Sequence, residues 1–189
     1  MNILEATRAV LDQRPDALFV AALGTATSAL RTASNDGPHL YFGGAMGSAA
    51  PAALGVAERV APRLVIAFVG DGELLMGART LWSIAGVRPD NLLVVVMADG
   101  RYSMTGGQRI EAPPVFAEPA AAIPGLDGIR VSSPGALARA VDELPRPGVI
   151  EAVLDERVVP PASPFVDPYR VRSAFEAEVA RTRLDATRP

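Results

Sequence analysis

The sequence predicts an α/β chain: a three-layer, doubly wound, mostly parallel sheet with helices on both faces. Two observations carry this. Residues 64–69 and 92–97 are short, continuous apolar runs rich in valine, the pattern of strands covered on both sides. Each ends in an acidic, glycine-containing turn, Gly70-Asp71-Gly72 and Asp99-Gly100, and the segment between them has helical periodicity. Residues 64–99 therefore read as a right-handed βαβ unit whose strand ends deliver two carboxylates to one place.

Along the chain, residues 2–13 predict an opening amphipathic helix with Ile3, Leu4, Val10 and Leu11 on one face. Residues 17–23 predict a buried strand. The small, polar residues 24–38 predict a loop or short helix over a site. His39 to Phe42 lead into the turn Gly43-Gly44-Ala45-Met46-Gly47-Ser48, which opens an alanine-rich helix over 49–60 and whose small residues let two backbones meet. Leu74, Leu75, Ala78, Leu81, Trp82 and Ala85 predict one helix with that stripe packed on the sheet, closed by Gly86 and Pro89. Residues 101–119 predict an ordered loop over the site. A short strand over 129–131 follows, then a helix capped by Ser133-Pro134 through Leu144 and a strand over 149–154. Residues 159–165 predict a proline-rich linker, and Asp167-Pro168 starts a last helix through Arg181, so 159–189 form a linker and C-terminal helix.

Composition narrows the class. With 189 residues, 49% hydrophobic and 21% charged, the chain can bury the core of a single domain spanning 1–189. Cysteine is absent, which excludes disulfides, thiolate zinc and cysteine nucleophiles. A net charge of −3 with scattered arginines argues against nucleic acid. The first ten residues lack a continuous apolar run, so neither a signal peptide nor a membrane span is expected, and the expected location is cytoplasmic. A mean hydropathy of +0.23 points to buried interfaces and hence to oligomerisation.

An aspartate between glycines at a strand end suits a hard cation beside a phosphate, since glycine lets backbone approach the ligand and the carboxylate holds Mg²⁺. Asp71 and Asp99 are thus candidate ligands of one metal-bound diphosphate, although either alone is also an ordinary turn residue. Met46 suits core filling as well as a cofactor contact. His39, the only histidine, precedes the glycine-rich turn and is a candidate to touch substrate, whereas isolated histidines are as a rule structural. Tyr102, Thr105 and Gln108 either order their loop or line a pocket. Arg101 and Arg109 either bind an anionic group or are solvated. The turn at 44–48 lacks a P-loop lysine and a Rossmann glycine pattern, so a plain nucleotide site is disfavoured.

Gly70-Asp71-Gly72, the Asp99-Gly100 that follows it, the preceding Gly44-Ala45-Met46-Gly47, and the following Tyr102 and Thr105-Gly106-Gly107-Gln108 together resemble one family. It is the diphosphate-binding (PP) domain of thiamine-diphosphate-dependent decarboxylases, in the branch of the sulfopyruvate decarboxylase β-subunit and of phosphonopyruvate decarboxylase. The likeness is strongest over 39–108 and collinear to Leu154. It implies the thiamine-diphosphate-binding fold, with Asp71, Asp99 and the backbone carbonyl of Arg101 as Mg²⁺ ligands. By the same resemblance Met46 lies under the cofactor and bends it, and the Gly44 carbonyl meets its amino group. Gly47, Ser48, Gly70, Gly72, Glu73, Tyr102 and Thr105 lie around the cofactor, and His39 and Met46 are the catalytic candidates.

Two positions depart from the family: it usually has asparagine at Asp99 and often a small hydroxyl residue at Glu73. An added carboxylate about 6 Å from an anionic diphosphate costs roughly 3 kcal/mol at an effective dielectric near 20. Asp99 remains a good Mg²⁺ ligand, Glu73 can turn away from the phosphate and Arg101 can offset the charge, so retained but weaker binding is expected. In this family a glutamate on a pyrimidine-binding domain activates the cofactor. No segment of this chain is expected to supply it, so the resemblance implies a separate pyrimidine-binding subunit, a hetero-oligomer and an interfacial active site. The implied reaction is decarboxylation of a small 2-oxo acid to an aldehyde. The alternatives are a carboligase of acetolactate-synthase type, and a non-catalytic scaffold or regulatory subunit.

Overall fold

A computed structural model describes residues 1–34, 37–161 and 167–186. Asn2 caps the first helix, α1 (Ile3–Gln13): its side chain accepts from the Leu4 and Glu5 amides, and Glu5 returns a bond to the Asn2 amide. Then follow β1 (Leu18–Ala21), α2 (Gly24–Ser34), β2 (Leu40–Tyr41), α3 (Ala49–Val60), β3 (Val65–Gly70), α4 (Asp71–Gly77), α5 (Thr80–Val87) and β4 (Leu92–Ala98). A hairpin of β5 (Arg101–Tyr102) and β6 (Gln108–Arg109) encloses a 3₁₀ turn, Ser103–Thr105. The chain continues through α6 (Ala117–Ala121), β7 (Asp127–Val131), α7 (Pro134–Glu143), β8 (Gly148–Val153) and α8 (Pro168–Ala186).

Six strands form one sheet in the order β2-β1-β3-β4-β8-β7, and every neighbouring pair is parallel. The strands alternate between two cores. Leu18, Val20, Val65, Ala67, Val94 and Val96 face α3, α5, α6 and Phe175 of α8. Phe19, Ile66, Phe68, Leu93, Val95 and Ile150 face α1, α2 and α7. Covering both faces is what makes the central strands apolar without interruption, and it yields the three layers that the sequence predicts. Among the described residues no helix is long and apolar enough to cross a membrane.

The structure resolves one open expectation and departs from the expected elements in three places. Residues 24–34 form an 11-residue helix, the second of the two forms expected there, which buries Ala26, Ala29 and Leu30. The single helix expected over 74–85 is two, interrupted at Ala78 and Arg79, where the backbone keeps right-handed helical angles but the Leu81 and Trp82 amides bond three residues back, to Ala78 and Arg79. Gly77, beside the interruption, packs against the backbone of Gly47, and a Cβ on Gly77 would lie 2.5 Å from the Gly47 carbonyl oxygen. The stripe splits with it. Leu74, Leu81 and Ala85 are buried, but Leu75 and Trp82 are exposed, Trp82 at 63%. The loop expected over 101–119 contains the β5–β6 hairpin and α6, and α8 runs to Ala186 rather than Arg181. Of the linker over 159–165, residues 162–165 lie outside the described residues, as do residues 187–189 of the C-terminal segment.

Candidate cofactor site

A cavity opens at the carboxyl ends of β1, β3 and β4. Asp71 reaches it because β3 passes directly into α4 with no intervening loop. Its side chain is buried, and it ties two strand ends together: Oδ1 accepts from the Gly72 amide and Oδ2 from the Gly100 amide, both at 2.7 Å. Asp99, where β4 ends, turns back so that its Oδ1 accepts from the Arg101 amide at 3.0 Å. Both carboxylates line the same cavity.

The electrostatics are those of a site short of positive charge. Burial pushes the Asp71 carboxyl up to about 6, the charge of Asp99 adds to the shift, and the two amides oppose it. Burial also raises Asp99, against the pull of the Arg101 amide and of the Arg101 and Arg157 charges. Glu73 is 5% exposed, and neither of its oxygens has a hydrogen-bond partner. Burial pushes it up to about 7, opposed by the Ala49 amide, which does not reach hydrogen-bonding geometry. A divalent cation accompanied by phosphate oxygens suits this arrangement, since it relieves the carboxylate repulsion and needs only a few protein oxygens. Among the described residues no group of three or more His, Cys, Asp or Glu side chains converges as a metal cage, so Asp71 and Asp99 would need backbone and ligand oxygens to complete a shell.

The floor of the cavity is built around Gly72. A Cβ there would lie 2.8 Å from the Tyr102 ring and 3.7 Å from the Met46 methyl, so both side chains rest on the glycine. Such a floor admits a flat or extended ligand between Met46, Tyr102 and the carboxylates.

The expected site residues divide into two groups. Met46, Gly70, Asp71, Gly72, Glu73, Asp99, Arg101, Tyr102 and Thr105 line one cavity. Gly44, Gly47 and Ser48 stand behind Met46 as its support: the Gly44 carbonyl accepts from the Met46 amide at 2.9 Å, and Gly47 takes φ +84° where it meets Gly77. Gln108 meets the Thr105 hydroxyl at 2.6 Å, so these two order the hairpin, while Thr105 also lines the cavity.

His39 is displaced from the position expected of it. It is 7% exposed, its Nδ1 accepts from the Phe19 amide at 3.4 Å, and its ring packs edge-on against Phe19 at 4.9 Å. Burial, reinforced by the charge of Arg63, pushes it down to about 4, so it is neutral at pH 7. It completes the edge of β1 where β2 has not yet begun, at the amino ends of the strands and away from the cavity. Sequence reasoning missed Gly24 and Thr25, which line the cavity at the start of α2. The available signal was a glycine directly after a buried strand, here at φ +82°.

Comparison with known proteins agrees with this geometry. The family described as thiamine pyrophosphate enzyme, C-terminal TPP binding domain, matches residues 22–152. Phosphonopyruvate decarboxylase of Streptomyces hygroscopicus is 34% identical over 181 residues, 89% of this chain and 43% of that protein. Sulfopyruvate decarboxylase subunit beta of Methanothermobacter thermautotrophicus is 31% identical over 105 residues, 56% of each chain. The chain thus matches about half the length of these curated relatives. Among solved structures, a thiamine diphosphate-dependent 4-hydroxybenzoylformate decarboxylase of Rhodococcus jostii RHA1 aligns with a TM-score of 0.68 at 21% identity, over 83% of this chain and 33% of that one, a likeness of fold. With a family match across most of its sheet and a cavity at the strand ends, the chain belongs to the thiamine pyrophosphate enzymes, as their C-terminal TPP-binding domain.

Proposed function

We propose that this chain, acting as one PP-type domain, holds thiamine diphosphate with Mg²⁺ and works with a separate pyrimidine-binding chain to decarboxylate a small 2-oxo acid. The observation that carries the reading is the buried Asp71, which braces the ends of β3 and β4 while facing a second carboxylate, Asp99, across one cavity. In this reading Asp71, Asp99 and the Arg101 carbonyl hold the cation. Gly70, Gly72, Tyr102 and Thr105 border the diphosphate, and Met46, braced by Gly44, Gly47 and Ser48, supports the rings. Bound thiamine diphosphate supplies the electron sink for loss of CO₂. The chain's part is to fix the cofactor's charged end and to keep water from it. His39 has no role at the reacting atoms, because it is sealed against Phe19.

Decarboxylation is supported by the activities for which the relatives are named, and a two-chain enzyme by the word subunit in the name of one of them. Exposed apolar side chains close to the site, Met104 on its rim and Leu75 and Met76 on α4, support a docking partner. Calorimetric titration of thiamine diphosphate with Mg²⁺ into the chain, alone and mixed with a candidate pyrimidine-binding chain, tests the reading, followed by CO₂ release from a panel of 2-oxo acids. Binding that Asp71→Asn weakens on the order of a hundredfold is expected, with CO₂ release only from the mixture. One observation favours a second reading, a scaffold subunit: Glu73, whose carboxyl oxygens are buried and without a hydrogen-bond partner, is among the residues lining the cavity that an anionic cofactor would enter. Absence of cofactor binding in a demonstrably formed complex would select it.

A further inference from the structure

We propose that Glu151 is a positioning residue for the cofactor cavity: from inside β8 it holds the returning end of the segment 99–117, whose outgoing end Asp71 holds. Among the described residues Glu151 is the one charged side chain buried within a strand, at 1% exposure. An unpaired carboxylate in that place would be costly, so its partners show what it is for. Its Oε2 accepts from the Phe116 and Ala117 amides at 2.8 and 3.0 Å, and its Oε1 meets Arg130 Nε at 3.3 Å. Phe116 stands at the start of α6 and caps nothing with its own side chain, so a residue of a distant strand supplies the acceptor. Gly128 of β7 seats α6 from the other side: a Cβ there would lie 2.0 Å from the Ala117 carbonyl oxygen.

A cap alone would end its influence at α6, but the path from α6 back to the cavity is short and stiff. The Ile110 amide donates to the Gly100 carbonyl at 2.8 Å and closes the hairpin at its base, and the Gly100 amide donates to Asp71 Oδ2 at 2.7 Å. Between Ile110 and Phe116, residues 111–115 form no hydrogen bond among the described residues. Pro113 and Pro114 stiffen that stretch, and Pro113 Cγ lies 3.9 Å from where a Gly100 Cβ would be. Any shift of Phe116 is therefore passed through Pro113 to Gly100 and on to the Asp71 carboxylate. The sheet sets the two anchors close together: β3, β4 and β8 are neighbours, and Glu151 lies opposite Val96, shortly before Asp99. Arg101, Tyr102 and Thr105, which line the cavity, thus sit on a segment fixed at both ends by buried carboxylates. Glu151 is not among the residues lining the cavity and acts on it only through this path.

The test is site-resolved amide hydrogen exchange on the full chain, with calorimetric titration of thiamine diphosphate and Mg²⁺ into the same variants. In Glu151→Leu, similar in size but without an acceptor, Gly100 is expected to lose about tenfold or more of its protection relative to Val95 in β4, and cofactor binding to weaken by about tenfold. Glu151→Gln, whose side-chain oxygen still accepts from both amides, restores both quantities. Arg130→Gln removes only the partly exposed partner and leaves both as in wild type. If Glu151→Leu does not fold, Glu151→Asp, its carboxylate withdrawn by one methylene, carries the same expectation at Gly100. Protection lost at Phe116 and Ala117 alone would reduce Glu151 to a cap of α6 and overturn the proposal. Wild-type cofactor affinity in a variant whose Gly100 amide has loosened would overturn it as well. The calorimetry rests on the proposed cofactor, whereas the exchange is read on the cofactor-free chain. Absence of cofactor binding by wild type, with Gly100 loosened in Glu151→Leu, would therefore count against the cofactor and leave the path from Glu151 to Asp71 standing.

Discussion

Glu73 concentrates the conflict at the site, since a buried carboxyl with no hydrogen-bond partner belongs to a residue that lines the cavity where an anionic ligand would lie. Removing the charge while keeping the shape, Glu73→Gln, is expected to tighten thiamine diphosphate–Mg²⁺ binding by about tenfold in calorimetry above pH 7, where a carboxyl pushed up to about 7 is ionised, and by less below it. Unchanged affinity would sink the repulsion argument, and so would an Asp99→Asn variant that binds no better. His39 makes a separate prediction, on pH. The unfolded chain takes up a proton near pH 6.5, but burial delays that uptake in the fold to about 4. Between those values the unfolded state binds more protons, so His39 draws stability down as pH falls from 6.5 to 4, by up to about 3 kcal/mol, and contributes nothing to the slope above 6.5. Denaturant melts of wild type and His39→Gln should diverge over that window; parallel profiles would show that the ring is not withheld from protons. The contrast between these residues explains what could be read. Asp71 and Asp99 were legible as one site because adjacent parallel strands bring their carboxyl ends together. His39 was not, because nearness in sequence to the glycine turn hides the run of β2, which carries the chain from the amino ends of the strands to the cavity.

At the scale of elements, burial on both faces writes a strong signal, and β3 and β4 fall within a residue of the runs that announce them. Ser133 likewise caps α7 by accepting from the Ala136 amide, as its place before Pro134 implies. Helical periodicity was a weaker guide over 71–87, because period reports side-chain spacing and is blind to a backbone crossing. Gly77 and Gly47 touch main chain to main chain where α4 ends, and Leu75 and Trp82, each one residue past a buried leucine, lie on the outer side of their helices. The crossing also holds the loop that carries Met46. Gly77→Ala is therefore expected to cost about 1–3 kcal/mol by overpacking and to weaken cofactor binding as the loop shifts. Gly55→Ala, on an exposed stretch of α3 with nothing within 4 Å of the added methyl, is expected to stabilise by about 0.5–1 kcal/mol. Thermal melts of the pair read the contrast, and a neutral Gly77→Ala would show that the crossing has room for a methyl.

For the molecule as a whole, the outer sides of α4 and α5 leave apolar area without cover: Leu75, Met76 and Trp82 are 42%, 66% and 63% exposed. The sequence predicted buried interfaces from its hydropathy but placed Trp82 in the core, since amino-acid type alone does not separate a residue that packs within the chain from one that packs against another. On the two-chain reading this area is covered in the assembled enzyme, and Trp82, the only tryptophan, reports on it directly. In the isolated chain its fluorescence is expected to be red-shifted and open to a soluble quencher. On mixing with a pyrimidine-binding chain that restores CO₂ release, emission should shift to the blue and quenching should fall. Trp82→Glu, made at an exposed position, should leave thermal stability near wild type while weakening association by roughly tenfold or more. A complex that forms and turns over with Trp82 as quenchable as before would place the partner on another face, and the carboxyl-end rim bearing Met104 would then be the surface to probe.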